Sequence, residues 1–91
     1  MYELRFTHLA KKSLKKLGRS GSFDAKELEA LLGYLIQGSA LPARYKDHQL
    51  KGKLSAFREC HLGFDLLVKY ERDESLKMVV IADFGTHSDL F

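Results

Sequence analysis

The sequence contains a single cysteine, a single proline and no long hydrophobic run. One cysteine, Cys60, forms no disulfide within the chain, which favours a reducing cytoplasm. A membrane-spanning helix needs about 20 consecutive apolar residues, and the N-terminal residues lack the basic-then-apolar order of a signal peptide. A soluble cytoplasmic protein is therefore expected. Its 91 residues suffice for one domain, which we expect to span residues 1–91.

The sequence also lacks internal repeats, low-complexity tracts and any close-spaced pair of metal ligands of the His-x-x-x-His kind. Charge is abundant instead, and it is unevenly distributed. Residues 1–22 hold six Lys/Arg against one Glu, and residues 39–62 hold five basic against two acidic residues. Two basic regions suit a polyanion such as a nucleic acid or an acidic protein partner. A solvated helix face followed by a charged loop explains the same pattern.

The N-terminal half predicts a strand followed by two helices. Tyr2, Leu4 and Phe6 alternate with polar residues, as in a half-buried strand. An apolar stripe at helical spacing follows, and the glycines at positions 18 and 21 are expected to end that helix. The second helix has Asp24 as its N-cap and Glu27 as a capping-box partner, and it ends at Gly38. Its buried face is predicted to contain Leu28, Leu31, Leu32, Leu35 and Ile36.

The C-terminal half predicts a long basic loop over residues 43–53 and then three strands. The strands are expected over residues 55–61, 65–70 and 76–82, and the last is rich enough in β-branched residues to be central and buried on both faces. Turns are predicted at 61–65 and 71–75. The order β-α-α-β-β-β indicates an α+β fold: a twisted, mostly antiparallel sheet of about four strands, with a two-helix hairpin on one face.

Three of the four histidines lie in this second half, at positions 48, 61 and 87. Histidine is the side chain that exchanges protons near neutral pH without any perturbation. His61 and Asp65 flank a predicted hairpin, so their side chains are expected to converge at one end of the sheet. Cys60 is expected to face away from His61 into the core. Three histidines, a carboxylate and several cations form an acid–base set suited to a phosphate.

The motifs around these histidines resemble the YafQ branch of the RelE/ParE toxin superfamily. The residues that carry the resemblance are YKDHQLKG at 45–52, FRECH at 57–61, DLL at 65–67, Tyr70 and GTHSDLF at 85–91. Each motif is weak alone, but their order and spacing in so short a chain are specific. The helical half matches only in its pattern and element order.

The resemblance implies a RelE-like fold and the toxin of a bacterial type II toxin–antitoxin system. Such a toxin is a ribosome-associated endoribonuclease that cuts mRNA without a metal or other cofactor. The implied partners are mRNA on the ribosome and a cognate antitoxin, and operator DNA through the toxin–antitoxin complex. No membrane is involved.

The resemblance also implies roles for individual residues. His48 and His61 would transfer protons and position the substrate, Asp65 would be a base or an orienting partner, and His87 would be the general acid. Phe91 would stack on a base. Four further cations are candidates for contacts with the RNA backbone, namely Lys46, Lys51, Lys53 and Arg58.

One position departs from the pattern. Relatives carry an arginine two residues before the Gly-Thr-His motif, where it would brace the scissile phosphate, and this chain has Asp83 there. An acid repels a phosphate, so either another cation, with Arg58 and Lys53 as candidates, takes its place or activity is weakened. The stretch from Tyr70 to Gly85 is also longer than the resemblance implies, which predicts a bulge.

Two other interpretations remain open. The first is a protein with the same fold that binds without cutting, directed at DNA gyrase like the ParE branch or retaining only antitoxin binding; Asp83 favours it and the histidine set does not. The second is a zinc or manganese site built from His48, His61, Asp65 and His87, which suits the ligand types but has no supporting spacing.

Overall fold

The computed structural model describes residues 1–20, 24–63 and 65–86, which form one five-stranded sheet and two α-helices. The elements, in chain order, are β1 (Glu3–Phe6), α1 (His8–Ser20), α2 (Ala25–Gln37), β2 (His48–Gln49), β3 (Arg58–Leu62), β4 (Leu66–Asp73) and β5 (Met78–Thr86). Short 3₁₀ turns at Ala43–Tyr45 and Gly52–Leu54 flank β2. Within the described ranges no helix is long and apolar enough to cross a membrane.

The strands are arranged in the order β1-β5-β4-β3-β2. The β1–β5 pair is parallel, and the other three pairs are antiparallel. The predicted α+β class and mostly antiparallel sheet are confirmed. The strand count was low by one because β2 is only two residues long, too short for alternation to distinguish it from the loop predicted over residues 43–53.

The first helix begins at a side-chain cap and extends beyond its predicted end. The Thr7 hydroxyl accepts a hydrogen bond from the Ala10 N–H (3.0 Å) and donates one to the Ala82 carbonyl (2.7 Å), which ties the start of α1 to β5. Gly18 does not end the helix, which continues to Ser20. A glycine within a helix costs only about 1 kcal/mol relative to alanine, so nearby packing overrides it. The expectation for Gly21 lies outside the described residues.

The second helix follows the prediction closely. The Asp24 carboxylate accepts a hydrogen bond from the Lys26 N–H at 2.9 Å, and Gly38 adopts a left-handed conformation (φ 71°) with its N–H directed to the last carbonyls. The buried residues of α2 pack into a core with strand residues such as Cys60, Val68 and Ile81. The helices therefore cover one face of the sheet, as predicted, but Leu32 and Ile36, which were predicted on the buried face, are only half-buried.

The last strand differs from its prediction in burial. It lies inside the sheet, between β1 and β4, but its residues alternate: Val79 and Ile81 are buried while Val80 is half-buried. The reason is that, in the part of the chain described, the helices cover only one face. The predicted bulge is confirmed, because Tyr70 pairs with Ile81 and Lys69 with Asp83, leaving one extra residue in β5.

The turn between β4 and β5 comes later than predicted. Strand β4 continues to Asp73, so the turn occupies residues 74–77 rather than 71–75. The Asp73 carboxylate accepts hydrogen bonds from the Ser75 hydroxyl and the Leu76 N–H. Aspartate commonly forms such local bonds in turns, and here the bond fixes where the strand ends.

Candidate active site

Four ionisable residues lie in register across four strands. His48 of β2 pairs with Glu59 of β3, Glu59 with Lys69 of β4, and Lys69 with Asp83 of β5. Directly paired residues project to the same side of a sheet, although the Asp83 carboxylate, next to the irregularity in β5, turns to Ser13 of α1. Cys60, the neighbour of Glu59, lies in the core, so Glu59 points away from the helices. These four residues are called the charged row below.

The His48 imidazole connects the row to the preceding loop. Its Nδ1 lies 2.9 Å from the Lys46 carbonyl oxygen. A carbonyl only accepts, so Nδ1 carries the hydrogen of this bond. The other ring nitrogen, Nε2, lies 3.6 Å from Oε1 of Glu59. Nε2 is therefore the nitrogen available to exchange a proton at the surface.

Glu59 is a site residue that our sequence reasoning missed. Its residue exposure is 3%, and its Oε2 has no hydrogen-bond partner among the described residues. Buried carboxylates without partners are costly and concentrate at functional positions. A signal was present in the sequence: in the strand RECHL, alternation places Glu59 and His61 together on the face opposite Cys60.

The residue before His48 anchors this edge of the sheet. Asp47 accepts hydrogen bonds from Nε and Nη2 of Arg58 (3.1 and 2.8 Å) and from the Tyr70 hydroxyl. The hydrogen bond to Asp47 raises the pKa of Arg58, and burial, followed by the bond to Asp47, raises the pKa of Tyr70. The Asp47–Arg58–Tyr70 cluster thus fixes the backbone next to His48. The cluster also occupies the Arg58 guanidinium, which the sequence analysis predicted to contact the RNA backbone.

Two other predicted catalytic residues, His61 and Asp65, lie along the β3–β4 hairpin. His61 is half-buried and pairs with Leu67, one strand repeat from Glu59 on the same face. Asp65 is exposed in the turn that follows, just before β4. The structure therefore brings His48 and His61 to one face and places Asp65 at the end of the same hairpin. His87 and Phe91 lie outside the described residues, which end at Thr86, the partner of Leu66.

The remaining predicted RNA contacts surround β2. Lys46, Lys51 and Lys53 are all exposed on the segment that joins the Ala43–Tyr45 turn to β3. Lys46 adopts a left-handed conformation (φ 49°), which reverses the chain immediately before the Asp47 anchor. The three ammonium groups thus form a basic rim beside His48.

The residue types considered for metal binding and thiol chemistry are only partly described, because His87 lies outside the described residues. Within residues 1–20, 24–63 and 65–86, no group of three or more His, Cys, Asp or Glu side chains is placed to hold a metal ion. Cys60 is fully buried, and burial raises the pKa of its thiol from 9.0 to about 12. It is a core residue, as predicted, and not a nucleophile.

Comparison with known proteins assigns the family. The profile of the family described as a bacterial toxin of type II toxin–antitoxin systems, YafQ, matches residues 2–91. The chain belongs to the YafQ family of toxins. The predicted resemblance and the toxin class are thereby confirmed.

Individual relatives agree with this assignment. The chain is 34% identical over 77 residues to the mRNA interferase toxin YafQ of Escherichia coli K12, covering 84% of this chain and 82% of that one. A metal-bound toxin from Helicobacter pylori is 38% identical, with a TM-score of 0.91 over 100% of both chains. The structure of the E. coli DinJ–YafQ complex is 27% identical, with a TM-score of 0.87 over 100% of this chain and 99% of that one.

Proposed function

We propose that this YafQ-family toxin is a metal-independent endoribonuclease that cuts mRNA on the ribosome and so inhibits translation. The observation that carries the proposal is the pairing of His48 with the buried Glu59 on a sheet face that His61 shares. The name of the E. coli relative, an mRNA interferase, supports the same activity.

The chemistry is an acid–base transesterification. A base removes the proton from a ribose 2′-OH, the 2′ oxygen attacks the adjacent phosphorus, and an acid protonates the departing 5′ oxygen. The products are a 2′,3′-cyclic phosphate and a 5′-OH. Each proton transfer contributes roughly 10²–10⁴-fold to the rate, and electrostatic stabilisation of the phosphorane often contributes more.

We assign His48 and His61 to proton transfer and substrate positioning, Asp65 to the base or its orienting partner, and His87 to the general acid. Phe91 stacks on a base of the substrate. The basic rim of Lys46, Lys51 and Lys53 contacts backbone phosphates, and Arg58 supports them from its position against Asp47. Glu59 holds the His48 ring in position. When His48 is protonated, the Glu59 carboxylate balances the positive charge of the imidazolium.

The cognate antitoxin is the protein partner that we propose. The DinJ–YafQ complex shows that a YafQ toxin assembles with an antitoxin. In this chain, α1 exposes Lys11, Lys12 and Lys15 to solvent, which suits an acidic segment of such a partner. Operator DNA is bound through the antitoxin complex.

Induced expression in a bacterial host tests the function directly. The parent chain is expected to arrest growth, and mapping of mRNA 5′ ends should reveal in-frame cuts. His87→Ala should abolish both while leaving antitoxin binding intact, and His8→Ala, which changes an exposed histidine on α1, should behave as the parent. Equal toxicity of His87→Ala and the parent would overturn the general-acid assignment.

A second candidate is a toxin-fold protein that binds its target without cutting, and Asp83 favours it. Growth arrest without mRNA cuts in the same experiment would select this candidate. Absence of arrest would indicate a chain that retains only antitoxin binding.

A further inference from the structure

A cleavage reaction at phosphate needs a cation beside the developing charge, and the charged row contains one. Two other cations are placed less well. Arg58 donates two hydrogen bonds to Asp47, and Lys53 lies on the loop outside the sheet. Lys69, in the middle of β4, is the lysine that shares a register row with His48 and Glu59.

The register sets how far Lys69 is from the proposed proton-transfer groups. Neighbouring strands lie about 4.8 Å apart, so Lys69 is one strand from Glu59 and two strands, about 10 Å, from His48. A lysine side chain spans much of that distance. A phosphate held between these two strands would therefore contact both the His48 imidazole and the Lys69 ammonium, with the Glu59 carboxylate, 3% exposed, buried beneath them.

The Lys69 ammonium has a contact that positions it but does not cancel its charge. Its Nζ lies 5.3 Å from the centroid of the Phe57 ring, a cation–π contact that directs it without cancelling its charge. In the described part of the chain it forms no ion pair within 4.0 Å, although carboxylates flank it on both sides. Oε1 of Glu59 faces His48.

The second flanking carboxylate is also engaged elsewhere. Oδ1 of Asp83 accepts hydrogen bonds from the Ser13 hydroxyl (2.7 Å) and the Phe84 N–H (2.8 Å). The Asp83 carboxylate is therefore hydrogen-bonded to a side chain of α1 and to the backbone of its own strand. It is thereby directed to α1 and to its own backbone, and it forms no ion pair with Lys69 within the described residues.

We propose that Lys69 is a catalytic residue that contacts the scissile phosphate and stabilises the phosphorane, a role that rests on the proposed ribonuclease function. In this chain the cation is supplied from β4, across the ladder from Asp83. The ammonium lies against the ring of Phe57, at the edge of the proposed site.

Single-turnover cleavage of mRNA on programmed ribosomes, with the toxin in excess, tests this role. Lys69→Met is expected to lower the cleavage rate by about 100-fold, the order seen when one electrostatic stabiliser is removed, with ribosome binding little changed. Lys69→Arg should retain most of the rate. Lys77→Met, which removes an exposed lysine at the β4–β5 turn, is the matched control and should cut as the parent does.

The outcomes separate the two proposals. Cleavage by Lys69→Met at the parental rate, in a parent that cuts, would overturn the role of Lys69 alone. A parent that does not cut would overturn the ribonuclease function and the role of Lys69 with it. Lys69→Gln, which keeps a polar side chain without the charge, repeats the test if the methionine variant does not fold; a similar loss of rate supports the proposal and parental cleavage overturns it.

Discussion

The carboxylate of Glu59 and the imidazole of His48 lie 3.6 Å apart, although the glutamate side chain is 4% exposed and the histidine side chain 49%. A buried carboxylate thus stands directly behind the exposed imidazole that we propose to transfer protons. The pairing is fixed by the β2–β3 register, so it needs no closure of a loop to form. Pre-organised pairs of this kind lower the barrier because they need no rearrangement when charge develops.

Replacing the buried carboxylate should therefore impair catalysis more than folding. Glu59→Gln is expected to lower the single-turnover cleavage rate by about 10- to 100-fold, within the range for perturbing one proton transfer, because His48 loses its charged neighbour. Glu71→Gln makes the same chemical change two residues along β4 from Lys69 and should leave the rate unchanged. Parental cleavage by Glu59→Gln would show that the pair has no catalytic role.

Asp83→Arg tests how this chain binds phosphate. If the clamp of the relatives is simply missing here, arginine should raise cleavage. Given Lys69 in the neighbouring strand, we expect no gain, and a loss of about 0.5–1.5 kcal/mol of stability because the bond from Ser13 is removed. Ser13→Ala removes the same bond without adding charge, and it separates the stability effect from the electrostatic one. A several-fold faster cut by Asp83→Arg would argue against the role of Lys69.

Alkaline conditions should destabilise the fold. Burial raises the pKa of Cys60 to about 12 and holds that of Tyr70 above its ordinary value of 10.0. Both groups ionise at lower pH in the unfolded chain, which then binds fewer protons than the folded protein. The free energy of unfolding therefore keeps its full value below pH 9 and falls as the pH rises from about 9 toward 12.

Urea unfolding at pH 7, 9 and 10 measures this slope. Cys60→Ala should flatten the decline that begins near pH 9. Tyr70→Phe should flatten the part near pH 10 and, at pH 7, cost about 1–3 kcal/mol, because Asp47 loses a hydrogen bond inside the cluster. A parent whose stability is unchanged between pH 7 and pH 10 would contradict the raised pKa values.

Alanine substitutions at Gly33, within α2, and at Gly38, its C-cap, should change the stability of the protein in opposite directions. Gly38 has a φ of +71°, and a Cβ there would clash with the Tyr2 ring, so Gly38→Ala is expected to destabilise the protein by about 1 kcal/mol or more. Gly33 lies mid-helix, and a Cβ there meets nothing within 4 Å. Gly33→Ala should therefore stabilise by up to about 1 kcal/mol. Thermal unfolding compares them, and equal shifts would refute this reading of the Gly38 turn.

The parts of the fold that were predicted correctly are those specified by local chemistry. Asp24 and Gly38 bracket α2 because each satisfies helix-end groups within a few residues of itself. The end of α1 and the strand β2 were not predicted, since tertiary packing carries a helix past Gly18 and pairs two loop residues with β3. Such long-range contacts leave no periodic signal in the sequence.

The candidate site divides in the same way. The histidine motifs located His48, His61 and Asp65, because a resemblance needs only residue identity and spacing. Glu59 and Lys69 escaped notice because their importance depends on register: the first is buried on the outer face, and the second pairs with Glu59 on one side and Asp83 on the other. Only the pairing of strands shows these facts.

The parallel pairing of β1 with β5 also has a consequence for the timing of folding. Among the strands that the structure describes, β1 precedes all the others in the chain and its partner β5 follows them, with Glu3 paired to Met78 and Phe6 to Ile81. Contacts between such distant parts of a chain slow folding. During synthesis β1 has no strand to join, and the row from His48 to Asp83 is incomplete until β5 has left the ribosome. The sheet face that carries the proposed site is therefore among the last parts of the molecule to be completed.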